Sequence, residues 1–236
     1  MRVALLLVVL LLPAVPVLPA RAQEPHSPEH GRGDRATVTH GFEDVERWVS
    51  VFDDPERDAW QKPGEVVAAL GLRPGDVVAD VGAGTGYFNP HWSRAVGSEG
   101  AVLAVDMEPS LVVHLRDRAE REGTRNVVPI LGSANDPRLP PGVVDAAVLV
   151  NTYHHIDLRR DYFRRFKRFL APGGRLVIVD WSTEVEVPVG PPLDHRLSAE
   201  RVAEELGAAG FVPVGRVDFL PYQYIRIFRV ADERAD

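Results

Sequence analysis

The residues best suited to chemistry form one short run, Asp80-Val81-Gly82-Ala83-Gly84-Thr85-Gly86. An acid is followed by three glycines at alternate positions, directly after apolar residues. Glycine has no Cβ, so the backbone can turn sharply there and come close to a ligand. In an open α/β sheet, ligands bind outside the carboxyl ends of strands, which is where this run falls. A second acid, Asp106, ends the next apolar run (Val102-Leu103-Ala104-Val105), 24 residues beyond Gly82. A carboxylate at that place can accept from both hydroxyls of a ribose, each charge-assisted bond contributing roughly 1.5–3 kcal/mol. The same carboxylate can instead cap the helix that starts near Pro109. The glycine pattern is D-x-G-x-G-x-G, not the G-x-G-x-x-G of a dinucleotide site. An acid just before the turn suits a cationic amino group and repels a pyrophosphate.

A third group follows Val150: Asn151, Thr152, Tyr153, His154 and His155. A histidine there can deprotonate an acceptor hydroxyl near neutral pH. The alternative is loop packing, with Asp157 capping the next helix. A metal held by His154, His155 and Asp157 is disfavoured because no further ligand is at hand, and no metal site is expected. Asp180 and Trp181 end another apolar run and either line an acceptor pocket or close the strand. His195 lies in a loop, 190–197, that can fold over such a pocket. Trp60 and Gln61 are candidates for a lid.

These groups must be held by an alternation of elements. Apolar runs predict strands at 77–81, 101–105, 127–131, 143–150 and 175–179. Amphipathic stretches predict helices at 87–96, 111–121, 158–170 and 198–209, the last capped by Ser198 and closed at Gly210. Near-continuous apolar strands alternating with helices imply a parallel sheet covered on both faces. Segments 211–220 and 222–230 meet at Pro221, too close for a helical crossover, so they must pair antiparallel. Upstream, Phe42, Val45, Trp48, Val49 and Phe52 recur at helical spacing. Asp54-Pro55-Glu56 reads as a helix start, and Pro63 opens a helix that Gly71 stops. The basic run Arg159, Arg160, Arg164, Arg165, Lys167, Arg168 reads as the solvated back of a helix whose aromatic face is buried.

The chain has 236 residues, 45% hydrophobic and 26% charged, typical of a globular protein. Its net charge of −7 disfavours nucleic acid as a partner. It has no cysteine, which excludes disulfides, thiolate metal sites and a cysteine nucleophile. Residues 1–22 read as a secretory signal peptide: Arg2, an apolar run broken by Pro13 and Pro16, then Ala20-Arg21-Ala22 as a cleavage site. The expected location is therefore periplasmic or secreted. The alternative is an uncleaved anchor, which would be the chain's sole link to a membrane. Residues 23–40 form a polar linker whose His26, His30 and His40 read as solvated. Residues 41–236 form the folded domain, with a helical cap at 41–72 and a core at 73–236. The sequence gives no oligomeric state.

With these motifs in order, the chain from about Trp60 onward resembles the class I S-adenosylmethionine-dependent methyltransferases, of the small-molecule type. The resemblance implies that Asp80, Gly82, Gly84 and Gly86 lie along the methionine part of the cofactor. It implies that Asp106 takes the ribose and that Met107 flanks the adenine. Gly132-Ser133-Ala134-Asn135 falls at the adenine amino group, where the family commonly has Gly-Asp-Ala. Ser133 departs from that aspartate, so the contact would come from the Ser133 and Ala134 backbone or from Asn135. Asn151 is assigned to the cofactor as well. Asp145 to His155 resembles the fourth-strand motif, and Leu170-Ala171-Pro172-Gly173-Gly174 the turn before the fifth. The implied fold is α/β, a Rossmann-like doubly wound seven-stranded sheet of order 3-2-1-4-5-7-6 with strand 7 antiparallel and a small N-terminal helical cap. The implied activity is methyl transfer to a small-molecule or lipid-like acceptor, with His154 or His155 as an optional base. A cofactor-binding protein without catalysis, acting as sensor or scaffold, is the rival. A nicotinamide oxidoreductase is disfavoured by the glycine spacing and the reversed last strand.

Overall fold

A computed structural model describes Ala36 and residues 41–232. The signal-peptide and linker readings, with His26, His30 and His40, lie outside the described residues. Seven strands form one sheet of order β3-β2-β1-β4-β5-β7-β6. They are β1 (Val77–Val81), β2 (Ala101–Asp106), β3 (Val127–Leu131), β4 (Val144–Val150), β5 (Leu170–Trp181), β6 (Phe211–Val217) and β7 (Gln223–Val230). β7 runs antiparallel to both β5 and β6, and the other neighbours pair parallel. This is the order and polarity that the sequence implied.

Side chains alternate across the sheet with a period of two. Ala79, Ala147, Leu149, Leu176 and Ile178 face one layer, and Val78, Ala146, Val148, Val177 and Val179 the other. The first layer is built on Tyr162, Phe163 and Phe166 of α6 (Arg159–Phe166) and Val202 and Leu206 of α7 (Ala199–Ala208). The second is built on Val66 and Leu70 of α3 (Pro63–Leu70), Trp92 and Val96 of α4 (Asn89–Val96) and Leu115 of α5 (Pro109–Glu122). Two short helices, α1 (Val45–Phe52) and α2 (Arg57–Gln61), precede α3.

Four local expectations change. The helix expected over 158–170 ends at Phe166, passes through a 3-10 turn at Lys167–Phe169, and gives way to β5 already at Leu170. The Leu170–Gly174 turn is real but sits inside the strand as a bulge, since Val144 pairs Leu170 and Ala146 pairs Arg175. Asp54 does order a turn, accepting the Glu56 N–H at 2.9 Å, but the helix begins two residues later than expected, at Arg57. Arg159 is not on a solvated face. It is fully buried, its Nε and Nη2 donating to Glu205 of α7 at 2.6 and 3.0 Å. Glu205 also accepts the Tyr153 hydroxyl at 3.0 Å. A buried cation needs such a paired carboxylate, and a helical wheel drawn on α6 alone cannot show a partner 46 residues away.

Candidate active site

The carboxyl ends of β1, β2, β4 and β5 open on one cavity of about 2010 Å³. A pocket for one small molecule measures roughly 300–1,000 Å³, so there is room for two ligands. One half is polar and is formed by the glycine loop and the end of β2. The other is lined by aromatic and proline residues of the N-terminal helices and of the segment after β5.

The loop geometry explains the glycines. Gly82, Gly84 and Gly86 all have positive φ (77°, 57° and 82°). A Cβ on Gly82 would stand 2.3 Å from Thr152 Cγ2, and one on Gly86 2.7 Å from a Leu115 methyl. The Gly82 and Ala83 amides donate to the Val105 carbonyl at 2.8 and 2.9 Å, which turns the loop back over β2. Asp106 holds the loop and does not cap the helix. Its Oδ2 accepts the Gly84 N–H at 2.8 Å and its Oδ1 the Glu108 N–H at 3.0 Å. Glu108, not Asp106, caps α5. Each carboxylate oxygen keeps a second lone pair for a ligand hydroxyl. Burial raises the Asp106 pKa, against the pull of those backbone bonds. Met107 stands 61% exposed at the cavity rim, fitted to cover a flat ring. Ser133 and Ala134 line the same rim, whereas Asn135 is directed at Arg165, accepting from its Nη2 through the backbone at 3.5 Å.

Asp80 is buried at the end of β1 and accepts the Trp92 indole N–H at 3.1 Å. Desolvation pushes its carboxyl up to about 7. Arg57, which no sequence motif marks, lines the cavity on the side of Asp80. It packs its guanidinium 3.9 Å from the centre of the Tyr87 ring and donates to the Phe52 carbonyl at 2.7 Å. Its buried Nε has no hydrogen-bond partner among the described residues. Burial lowers its pKa to about 10. A strained carboxylate and a partly satisfied guanidinium at one end of a cavity match a zwitterionic amino-acid group, the amine toward Asp80 and the carboxylate toward Arg57. With the glycine cradle and Asp106, these residues fit an adenosyl amino acid such as S-adenosylmethionine.

At the boundary of the two halves, β4 ends in Asn151 and a 3-10 turn, Tyr153–His155. His154 is buried, its Nδ1 at 2.9 and 3.0 Å from the two oxygens of Asp180 at the end of β5. Asp180 is thus neither a lining group nor a mere strand end; it orients the histidine. Held there by Nδ1, the ring turns its other nitrogen, Nε2, away from Asp180. His155 is half-buried, its ring 4.3 Å from that of His154 and edge-on to Phe42 at 5.9 Å. Asp157 does not cap α6, which starts after Leu158 in a left-handed conformation. Asp157 accepts from the Ala36 amide at 3.3 Å.

The aromatic half of the cavity is assembled from far-apart segments. Trp60 packs on Trp181 at 5.2 Å and near Tyr222 at 6.3 Å. Phe42, Trp48 and Phe52 form a second cluster, with Trp48 and Phe52 stacked at 5.0 Å. His195 and Pro188–Pro192 complete the wall. Gln61 is not part of a lid surface: it is fully buried and donates to Gln223 Oε1 at 2.7 Å. Asp53 fastens the cap to the core, accepting from Thr85 at 2.8 Å and Arg118 at 2.7 Å.

Comparison with known proteins agrees with this geometry. Residues 78–174 match the family model described as a methyltransferase domain. A curated relative, the ubiquinone/menaquinone biosynthesis C-methyltransferase of Vibrio campbellii, is 30% identical over 125 residues, covering 52% of this chain and 48% of the relative. The chain thus spans about half the length of the curated relatives it matches. A solved SAM-dependent methyltransferase from Aquifex aeolicus is 27% identical, with a TM-score of 0.75, covering 82% of this chain and all of that one. Geranyl diphosphate C-methyltransferase from Streptomyces coelicolor, solved with S-adenosyl-L-homocysteine, shares the fold at 19% identity and a TM-score of 0.61, covering 85% and 90%. The fold is shared with the solved SAM-dependent methyltransferase from Aquifex aeolicus, and residues 78–174 match a methyltransferase domain.

Proposed function

We propose that this chain transfers a methyl group from S-adenosylmethionine to a neutral, apolar small molecule or lipid-like acceptor. The observation that supports this best is the division of one cavity between a built amino-acid-nucleoside site and an aromatic chamber. The bound cofactor would supply a methyl group already activated on a cationic sulfur. The protein then has to hold the acceptor in line and keep water out, which can account for most of the acceleration. Arg57 and Asp80 grip the amino-acid end, Asp106 the ribose, and the Gly82–Gly86 backbone the length between. His154, aligned by Asp180, takes a proton from an acceptor that must ionise to react.

Among the described residues Arg57 is the one lysine or arginine lining the cavity, and it lies on the Asp80 side. The described wall of the chamber offers an anionic acceptor no lysine or arginine. Aromatic rings and prolines suit an uncharged, flat or prenyl-like body. Export, with the mature chain starting at Gln23, is part of the same proposal. Among the described residues no helix is long and apolar enough to cross a membrane. Mass spectrometry of the protein from cells should find Gln23 as the first residue; an intact Met1 in the membrane fraction would replace export by anchoring.

The test of activity is transfer of labelled methyl from S-adenosylmethionine to two acceptor sets. One holds neutral alkyl phenols and quinols, the other their carboxylated or phosphorylated counterparts. Label should enter the neutral set. Cofactor binding with no transfer to either would leave a sensor or scaffold instead of an enzyme.

A further inference from the structure

Four polar side chains from distant parts of the chain form a directed hydrogen-bond relay that ends at the boundary of the two half-sites. Arg57 of α2 donates from Nη2 to Gln61 Oε1 at 3.2 Å. Gln61 donates from Nε2 to Gln223 Oε1 at 2.7 Å. Gln223, at the start of β7, donates from Nε2 to Asn151 Oδ1 at 2.5 Å. Gln61 and Gln223 are buried, at 0% and 4% exposure, so water does not satisfy them.

The direction of this relay is fixed at one end. A guanidinium has no acceptor atom, so Gln61 must turn its oxygen to Arg57 and its NH₂ to Gln223. The same constraint passes along: Gln223 accepts from Gln61 and donates to Asn151. Asn151 therefore spends its oxygen on the protein. Its Nδ2 has no acceptor among the described residues, and the side chain lines the cavity. The backbone agrees with an asparagine there. Asn151 has φ +56°, a left-handed conformation that asparagine tolerates better than most residues. Its amide N–H is bound to the Val179 carbonyl at 2.8 Å, which pins it between β4 and β5.

We infer that Asn151 presents a fixed N–H donor to the acceptor, and that it selects an acceptor reacting through an ionisable oxygen, a phenol or an enol, over one reacting through an amine. This rests on the methyltransferase reading above. The sequence placed Asn151 with the cofactor, but the charges at this end of the cofactor site favour the acceptor. Arg57 already serves a carboxylate, while an amine and a sulfonium are cations that gain nothing from a further donor. An amine acceptor would need Asn151 to accept a hydrogen bond, and its oxygen is taken. An oxygen acceptor fits both groups at the boundary. Its O–H gives the proton to His154 Nε2, the electron pair stays on oxygen, and the anion receives the Asn151 N–H. A preorganised donor in a site shielded from water stabilises such a charge strongly. Gln223 is a positioning residue that acts through Asn151, and Gln61 joins it to Arg57.

The relay can be reversed by one substitution. In Gln223→Glu the side chain can only accept, so Gln61 is still served and Asn151 must turn its NH₂ to residue 223 and its oxygen to the cavity. Asn151→Asp removes the donor directly and suits the same backbone. The full chain, saturated with S-adenosylhomocysteine, is titrated with an alkyl-substituted 4-nitrophenol, whose absorbance reports its ionisation, and with the matching 4-nitroaniline. The wild type should bind the phenol at least about tenfold more tightly than the aniline and lower its apparent pKa by about one unit, equal to about 1.4 kcal/mol. Both variants should lose that shift and that preference, while S-adenosylhomocysteine affinity, measured separately by calorimetry, stays within about threefold. An unshifted phenol pKa in the wild type overturns the inference, as does a shift retained in both variants. A collapse of S-adenosylhomocysteine affinity in Asn151→Asp also overturns it, returning the amide to the cofactor. Failure of the folded wild type to bind S-adenosylhomocysteine removes the methyltransferase reading itself, and this inference with it.

Discussion

The two halves of the cavity are built in opposite ways. The cofactor half is local: Asp80 to Gly86 spans the end of β1 and the turn after it, and Asp106 ends the neighbouring strand in register with it. It is polar, and it is tied by backbone hydrogen bonds. The acceptor half is a composite of rings from residues 42, 48, 60, 181 and 222, held by packing. The contrast teaches that a site made of backbone turns writes itself into adjacent residues, while a site made of side-chain packing does not. It also predicts which property each substitution moves.

The largest effect should come at the boundary. His154→Gln should lower turnover of a phenolic acceptor by about 10²–10⁴-fold, the usual contribution of a general base. S-adenosylhomocysteine affinity should stay near wild type in that variant; a parallel loss of affinity would place His154 in the cofactor half. Next is Gly82→Ala. The new Cβ would meet Thr152 at 2.3 Å in a left-handed backbone. Strain of about 1–3 kcal/mol should weaken cofactor binding by about tenfold to a hundredfold. Calorimetry reads this, with acceptor affinity as the control that should change little.

A change at Arg57 tests the reach of the cofactor half into the cap. Arg57→Met should weaken S-adenosylmethionine by about tenfold, the worth of one charge-assisted bond. The effect should shrink for an analogue whose carboxylate is removed, and an undiminished effect would give Arg57 a purely structural role.

The smallest effect is in pH. The Asp80 carboxyl is raised to about 7 from an ordinary 3.8, chiefly by burial. A raised carboxyl stabilises the empty protein fully below the ordinary value and loses that contribution as pH rises through 7. A cationic amino group prefers the ionised form, so cofactor affinity should fall as pH drops below 7, by at most about tenfold per unit. The thermal shift given by S-adenosylmethionine should therefore grow from pH 5.5 to 8. Asp80→Asn should flatten that growth; a profile unchanged in the variant would show that Asp80 does not face the amine.

The same contrast explains what the sequence disclosed. Near-continuous apolar runs and turn residues made the strands and the antiparallel last pair legible, because each strand's burial is recorded in its own residues, while the strand order came from the family resemblance. Asp106 was legible by spacing, although not its second task of holding the Gly84 amide. The Asp180–His154 pair was not legible, because the two residues lie 26 apart and meet only through β4–β5 pairing. Arg159 was misplaced and Arg57 unseen for one reason: a buried arginine looks like a surface one until its partners are known. Gln61 and Gln223 lie 162 residues apart, and no local signal marks either as polar interior.

The most direct measurement is calorimetric titration of the full chain with S-adenosylmethionine and with S-adenosylhomocysteine, in the wild type and in Asp106→Asn. The account predicts micromolar binding of both ligands to the wild type, about 8 kcal/mol, and at least about tenfold weaker binding to the variant while it remains folded. A folded wild type that binds neither ligand, or a variant that binds both as tightly, would contradict it.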